Sequence, residues 1–298
     1  MTDAINISGV TKTYGQHTAV ENLDLIVPRG SIFGFIGPNG SGKTTTIRMI
    51  MRIIQPERGT ITVLGQASGD AADDRIGYLP EERGLYRKMK ARDILQFFGE
   101  LKGGKNLGAR IDAWLDRLEL ADWADKPLEN FSKGMAQKIQ FIAAVISEPE
   151  VVILDEPFSG LDPINAETLR REVLRLRDEG KTVILSTHDM AVAENLCDFI
   201  FMIHKGRKVL EGSIADIKKQ HATNSVYLTS DAGEDQLKAL PMVREVSKRA
   251  SEWQLTLDPE SSPQELLQTA SSKFAIQKFT TGGTSLREIF LAKAGFEA

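Results

Sequence analysis

Short apolar runs broken by glycine and polar turns occupy the chain up to about Gly65. Ser31-Ile-Phe-Gly-Phe-Ile36 is a short apolar run suited to a buried strand. Thr45–Met51 reads as the helix that follows it, and Arg75-Ile-Gly-Tyr-Leu-Pro80 as another short strand stopped by proline. The period then lengthens. Ile94, Phe97, Phe98 and Leu101 fall at i, i+3, i+4 and i+7, as do Ile111, Trp114, Leu115 and Leu118. Ile139, Ile142, Ala143 and Ile146 repeat the spacing, with Ser132 placed as an N-cap. Gly103, Gly104 and Gly108 separate the first two of these helices, so residues 84–148 are predicted to form a helical insertion in an α/β domain. Beyond it, Val151-Val-Ile-Leu154 and Thr182-Val-Ile-Leu185 are β-branched runs suited to central parallel strands. Pro163 opens a helix running through Leu169, Val173 and Leu176. Gly206 marks a hairpin between Phe199–His204 and Lys208–Glu211.

After about Lys219 the chain turns more polar, which predicts a boundary between residues 1–220 and a small domain at 221–298. Strands are expected at Ser225–Thr229, Val243–Lys248, Gln254–Leu257 and Phe274–Phe279, and helices at Glu234–Leu240 and Pro263–Ala270. That order, β-α-β-β-α-β, is the split βαβ pattern of an α+β domain. A last helix would turn Leu286, Ile289, Phe290 and Ala294 inward.

Composition narrows the function. The 298 residues are 41% hydrophobic and 26% charged, ordinary for a globular protein with room for two domains. A net charge of −4 argues against a general nucleic-acid surface. Cys197 is the single cysteine, which excludes an intrachain disulfide and a cysteine-based zinc site. The start, Met-Thr-Asp-Ala-Ile, has neither the basic nor the apolar part of a signal peptide. Phe141–Ile146 and Phe199–Ile203 are far too short to cross a bilayer, so a membrane role would act through a partner.

Chemistry enters at Gly37, Pro38, Asn39, Gly40, Ser41, Gly42, Lys43 and Thr44, followed by Thr45. The spacing G-x-x-x-x-G-K-[ST] after a buried strand is a phosphate-binding loop. Its glycines let backbone N–H groups turn inward, Lys43 supplies charge to the outer phosphates, and Thr44 offers a hydroxyl to Mg²⁺. The helix N-terminus behind the loop adds its dipole. Val151-Val-Ile-Leu-Asp155-Glu156 is a strand ending in two acids. Asp155 can hold Mg²⁺ directly or through water, and Glu156 can orient or deprotonate an attacking water. His188 closes another strand, at the end where parallel sheets gather their ligands.

Phe131-Ser132-Lys133-Gly134-Met135-Ala136-Gln137 resembles the signature of ATP-binding cassette (ABC) ATPases, usually Leu-Ser-Gly-Gly-Gln. The phosphate loop, Asp155-Glu156, Ser159-Gly-Leu-Asp162 and His188 match family motifs in the family's order, and Tyr14 corresponds to its adenine-stacking aromatic residue. The resemblance covers residues 1 to about 220. It implies a P-loop NTPase fold with a helical subdomain, binding of ATP and Mg²⁺, and hydrolysis. It further implies that Ser132, Gly134 and Gln137 of one protomer, with Asp162 at the interface, complete the ATP site of another in a homodimer or a paired assembly. His188 would contact the γ-phosphate. Two departures stand out. Lys133 replaces the first signature glycine and can point away or add charge near the phosphate. Glu81 replaces a glutamine that touches Mg²⁺ and couples to the membrane partner.

Tyr78-Leu-Pro-Glu-Glu-Arg-Gly-Leu-Tyr86, Ser-Lys-Gly-Met, and Phe274 to Phe296 with Thr284-Ser-Leu-Arg-Glu-Ile-Phe290-Leu resemble the ATPase subunits of sodium-efflux and multidrug-type exporters. This implies a cytoplasmic subunit, peripheral on the inner face of the membrane through a separate integral permease, with no nucleic-acid partner. The rival is a soluble cassette ATPase of translation or DNA maintenance, but those carry paired cassettes or long coiled coils, and this chain has one cassette without sustained heptads. A binding-only switch is disfavoured by Glu156. For the C-terminal domain, regulation, dimer stabilisation and partner docking all remain open.

Overall fold

The computed structural model describes residues 3–67, 74–82, 84–221, 224–249, 251–282 and 285–293. The chain divides into two compact units, Met1–Ile214 and Ala215–Ala298. The division falls at the head of a helix, Ile214–Gln220, rather than behind it.

The first unit begins with two strands of 12 residues each, β1 (Asp3–Tyr14) and β2 (His17–Pro28), longer than the short strands expected there. They pair as an antiparallel hairpin that sets Tyr14 opposite His17. The next elements are β3 (Ile32–Ile36), α1 (Lys43–Ile50), β4 (Arg58–Val63), β5 (Gln66–Ala67) and β6 (Ile76–Leu79). The helical insertion follows as α2 (Ala91–Leu101), α3 (Gly108–Arg117) and α4 (Lys133–Val145). The α/β pattern then resumes with β7 (Val151–Asp155), α5 (Pro163–Asp178), β8 (Thr182–Thr187), α6 (Met190–Leu196), β9 (Phe199–His204) and β10 (Arg207–Ser213).

One sheet has the order β2-β1-β4-β5 and is antiparallel; the other runs β10-β9-β3-β8-β7-β6 and is parallel except for β10. The antiparallel sheet and α1 share one core with the central parallel strands, and β3, β7 and β8 are buried at every position. Their β-branched and aromatic content follows from that burial. Ile5, Ile7, Leu23, Phe33, Phe35, Ile47, Ile153 and Phe201 share one apolar core. Phe35 and Phe201 stack within it at 5.1 Å, and burying each ring contributes about 1.5–3 kcal/mol. The C-terminal ends of β3, β7 and β8 lie in register, which brings Ile36, Asp155 and Thr187 to the same edge of the sheet.

The second unit contains α7 (Ile214–Gln220, whose first residue closes the first unit), β11 (Ser225–Ser230), α8 (Glu234–Lys238), β12 (Val243–Arg249), β13 (Glu252–Leu257), α9 (Pro263–Ser271), β14 (Ile276–Gly282) and α10 (Leu286–Lys293). The sheet order β12-β13-β11-β14, antiparallel throughout, is the split βαβ arrangement. The last strand starts at Ile276 instead of Phe274, because Phe274 still closes α9 through its N–H to Ala270 O. Ser262 caps α9 in a reciprocal box with Glu265. Leu286, Ile289 and Phe290 are buried as expected; Ala294 and Phe296, and Thr284 of the same stretch, lie outside the described residues.

Candidate functional site

The turn between β3 and α1 is shaped by two glycines. A Cβ on Gly37 would stand 2.3 Å from Ile203 O, and one on Gly42, at φ +111°, would stand 2.5 Å from Ala19 O. Backbone from β2 and β9 therefore packs directly against the loop, and no side chain fits at either position. Lys43 is buried, and its Nζ donates to Gly37 O at 2.6 Å and Pro38 O at 3.1 Å. Burial lowers the Lys43 ammonium from its ordinary value, against the upward pull of Glu156, Asp155 and Glu81. A cleft of about 320 Å³ opens over this turn, within the usual range for small-ligand sites of ~300–1,000 Å³. Tyr14, Asn39, Gly40, Gly42, Lys43, Thr44, Thr45, Glu81, Asp155 and Glu156 line it, joined by His17 and Ala19.

Asp155 ends β7 almost fully buried, and its Oδ2 makes no hydrogen bond. Burial raises this carboxyl above its ordinary range; the charges of Glu81 and Glu156 push the same way and Lys43 opposes them. Glu156 turns the chain at φ +49°, a left-handed conformation that costs a non-glycine residue about 1 kcal/mol or more. That turn delivers its carboxylate to His188. Oε1 accepts the His188 N–H at 2.9 Å and lies 2.6 Å from Nδ1, while Thr187 Oγ1 donates to Oε2 at 3.4 Å. The Glu81 segment is held by Gln140 of α4, which donates to Pro80 O at 3.0 Å and to Glu82 O at 3.2 Å. Among the described residues no group of three or more His, Cys, Asp or Glu forms a metal site by itself. The unpartnered Asp155 Oδ2 beside Thr44 and Glu81 fits a cation that takes few protein oxygens and completes its shell elsewhere.

The remaining expected residues lie elsewhere. Ser132 caps α4, accepting from Met135 N at 3.2 Å, and with Lys133 lines a separate cleft of about 460 Å³. Asp162 caps α5, accepting from Ile164 N and Asn165 N. Neither Ser132, Gly134 nor Asp162 borders the phosphate-loop cleft. Gln137 does not reach it either: it is buried, with its amide donated to Pro157 O at 3.1 Å. His17, Ala19 and Gln140 were missed from sequence. The one signal was Gln140, a polar residue in the apolar stretch of α4.

This layout, a parallel sheet with a phosphate loop at its carboxyl edge and a helical insertion, has solved counterparts. One titled as the ATP-binding subunit of an ABC transporter superposes with TM-score 0.69 at 31% identity, covering 73% of this chain and 92% of that one. A family model described as ABC transporter matches residues 20–159, and one described as ATP-binding protein DrrA1-3-like, C-terminal domain, matches 212–294. An uncharacterized ABC transporter ATP-binding protein of Bacillus subtilis is 40% identical over 98% of both chains. The chain belongs to the ABC transporter ATP-binding proteins. A daunorubicin/doxorubicin resistance ATP-binding protein of Streptomyces peucetius is 31% identical, covering all of this chain and 94% of its own. These transporter names favour transport over the translation or DNA-maintenance reading. No helix among the described residues of this ABC protein is long and apolar enough to cross a membrane.

Proposed function

We propose that this chain is the ATP-hydrolysing subunit of an exporter, working as a pair of cassettes that close around two ATP molecules and move a separate integral-membrane subunit. The observation that carries the reading is the separation of the ATP machinery within one chain. The cleft of Lys43, Asp155 and Glu156 excludes Ser132, Gly134 and Asp162. Yet α4 begins with a serine cap and a glycine, an arrangement that leaves N–H groups and a dipole for an anion. A second copy brings the two halves together.

In this reading the inward N–H groups of residues 37–45 and Lys43 hold the phosphates, and Tyr14 stacks on adenine. Thr44, Asp155 and Glu81 would hold Mg²⁺, which when bound neutralises charge on the β- and γ-phosphates. Its need is electrostatic: the cleft already carries three carboxylates, Glu81, Asp155 and Glu156, against one ammonium, Lys43. Glu156, oriented by His188, takes the proton of the attacking water, and His188 also reaches toward the γ-phosphate. Ser132 and Gly134 of the second copy face that phosphate, with Asp162 at the interface. Gln137 supports the turn from behind through Pro157 O. The Glu81 segment and the helical insertion meet the membrane subunit, which would place this chain at the inner face of the membrane. Export, with no nucleic-acid partner, is supported by the drug-resistance relative.

The test is E156Q. It should bind ATP, sediment as an ATP-dependent dimer, and lose hydrolysis by about 100-fold or more. Turnover at the wild-type rate, or a monomer at saturating ATP, rejects the reading.

A further inference from the structure

The turn that carries Glu156 runs against two backbone preferences. Glu156 is a non-glycine residue at φ +49°. It also precedes Pro157, and the ring of a proline pushes the residue before it toward extended backbone at negative φ. A conformation of that kind persists only where its surroundings hold it. β8 and the residue after it supply part of the hold: the Glu156 N–H donates to Ser186 O at 2.9 Å, and the carboxylate accepts from Thr187 and His188. Within the turn, the Ser159 N–H donates to Glu156 O at 3.1 Å. A further hold comes from another element, where Gln137 Nε2 of α4 donates to Pro157 O at 3.1 Å.

Packing of α4 does not account for this glutamine. The helix buries Ile139, Phe141 and Ile142, and an amide taken out of water among such residues costs stability unless it is hydrogen-bonded. Gln137 and Pro157 are both buried, so bulk water cannot stand in for either partner. The bond is also well placed to act on Glu156. Proline fixes its own φ, so holding the carbonyl of Pro157 restrains the peptide plane that joins it to Glu156. Without the donor that plane is freed, and Glu156 can relax toward extended backbone and away from His188.

We infer that Gln137 is a positioning residue for hydrolysis: by holding Pro157 O it keeps Glu156 in its left-handed conformation, and so keeps the carboxylate where the attacking water is met. This deepens the reading of Glu156 as the base and rests on it. Gln137 does not border the phosphate-loop cleft, so the effect falls on kcat rather than on ATP capture.

The experiment uses the full chain with Q137M, E156Q, P157A, Q137M/E156Q and Q137M/P157A. It reads ATP affinity with a fluorescent ATP analogue, hydrolysis by steady-state and single-turnover kinetics, and the ATP-dependent dimer in the E156Q background by sedimentation. Q137M keeps the length of the side chain and removes the donor, so it should lower kcat about tenfold with ATP affinity within about twofold. Once the base is gone there is nothing left to position: adding Q137M to E156Q should lower the residual hydrolysis by less than about twofold and leave the dimer constant within about threefold. P157A keeps the carbonyl and removes the ring that restricts Glu156, so the effect of Q137M should shrink from about tenfold to less than about threefold in that background. Any cost of P157A itself is present on both sides of the comparison and cancels. Q137E, which also lacks the donor, is read by the same criteria. The proposal is overturned if Q137M matches wild type in kcat, if Q137M and E156Q act additively, as a general loosening of α4 would make them, or if the effect of Q137M is as large in P157A as with proline present. Turnover of E156Q at the wild-type rate removes the reading of Glu156 as the base, and the role of Gln137 with it.

Discussion

Glu156 Oε1 is held from two sides by one residue, accepting the backbone N–H of His188 at 2.9 Å while lying 2.6 Å from its Nδ1. A carboxylate oxygen accepts, so Nδ1 carries the hydrogen in this pair. The backbone contact survives truncation of the ring; the side-chain contact does not. H188A should therefore lower kcat by about 100-fold with KM for ATP changed less than about threefold, because the base is loosened while the phosphate loop is untouched. Steady-state kinetics decide it: a kcat within about twofold of wild type would leave His188 with no part in orienting Glu156.

Asp155 gives a prediction in which stability and activity part. Its carboxyl is raised in the folded protein, foremost by burial. The folded state thus holds the proton more tightly than the unfolded chain, so stability falls as pH rises from the ordinary carboxyl value to the raised one, and the loss persists above it. D155N removes the charge at nearly constant shape. At neutral pH it should melt higher by about 2–4 °C for each 1 kcal/mol relieved, while hydrolysis is lost. Calorimetry at neutral pH and again near the ordinary carboxyl value tests this: the gap between the two proteins should shrink in acid, and a lower melting temperature for D155N at neutral pH would contradict it.

The core of the second unit, with Leu228, Leu255 and Leu266 fully buried, draws all its residues from that unit. L255A should cost about 2–5 kcal/mol there through a lost side chain and the cavity it leaves. ATP binding in the first unit should stay within about twofold, and thermal scans should show the C-terminal transition moving down alone. A shift of equal size in the ATP-binding transition would show that the two units unfold as one.

What was legible in the sequence was local. The phosphate loop, the strand-end acids at 155 and 156 and the cap Ser132 are each set by a few adjacent residues, and each sits where its spacing places it. What was hidden depends on pairing between distant segments. His17 reaches the cleft because the β1–β2 hairpin sets it opposite Tyr14, and Ala19 because its carbonyl packs on Gly42. The contact of Gln137 was hidden for the same reason: nothing near it in sequence announces that Pro157 O will take its amide. Lys133 was left with two orientations, and its ammonium lies over Gly160.

Gln140 signals itself only as a polar residue in an apolar stretch, and its role is simple to test. Buried within α4, it spends both amide hydrogens on Pro80 O and Glu82 O, and so grips the backbone on either side of Glu81. Q140M keeps the length of the side chain and removes both donors, leaving two carbonyls short of partners at about 1–3 kcal/mol. The melting temperature should fall by several degrees, about 2–4 °C per kcal/mol. Because Glu81 also borders the cleft beside Asp155 and Thr44, the loosened segment should raise the Mg²⁺ concentration needed for half-maximal hydrolysis by about threefold or more. Q140E restores the length and an acceptor but no donor, so it should fail as badly as Q140M. Full activity and an unchanged Mg²⁺ requirement in Q140M would mean that Glu81 is held by something other than α4.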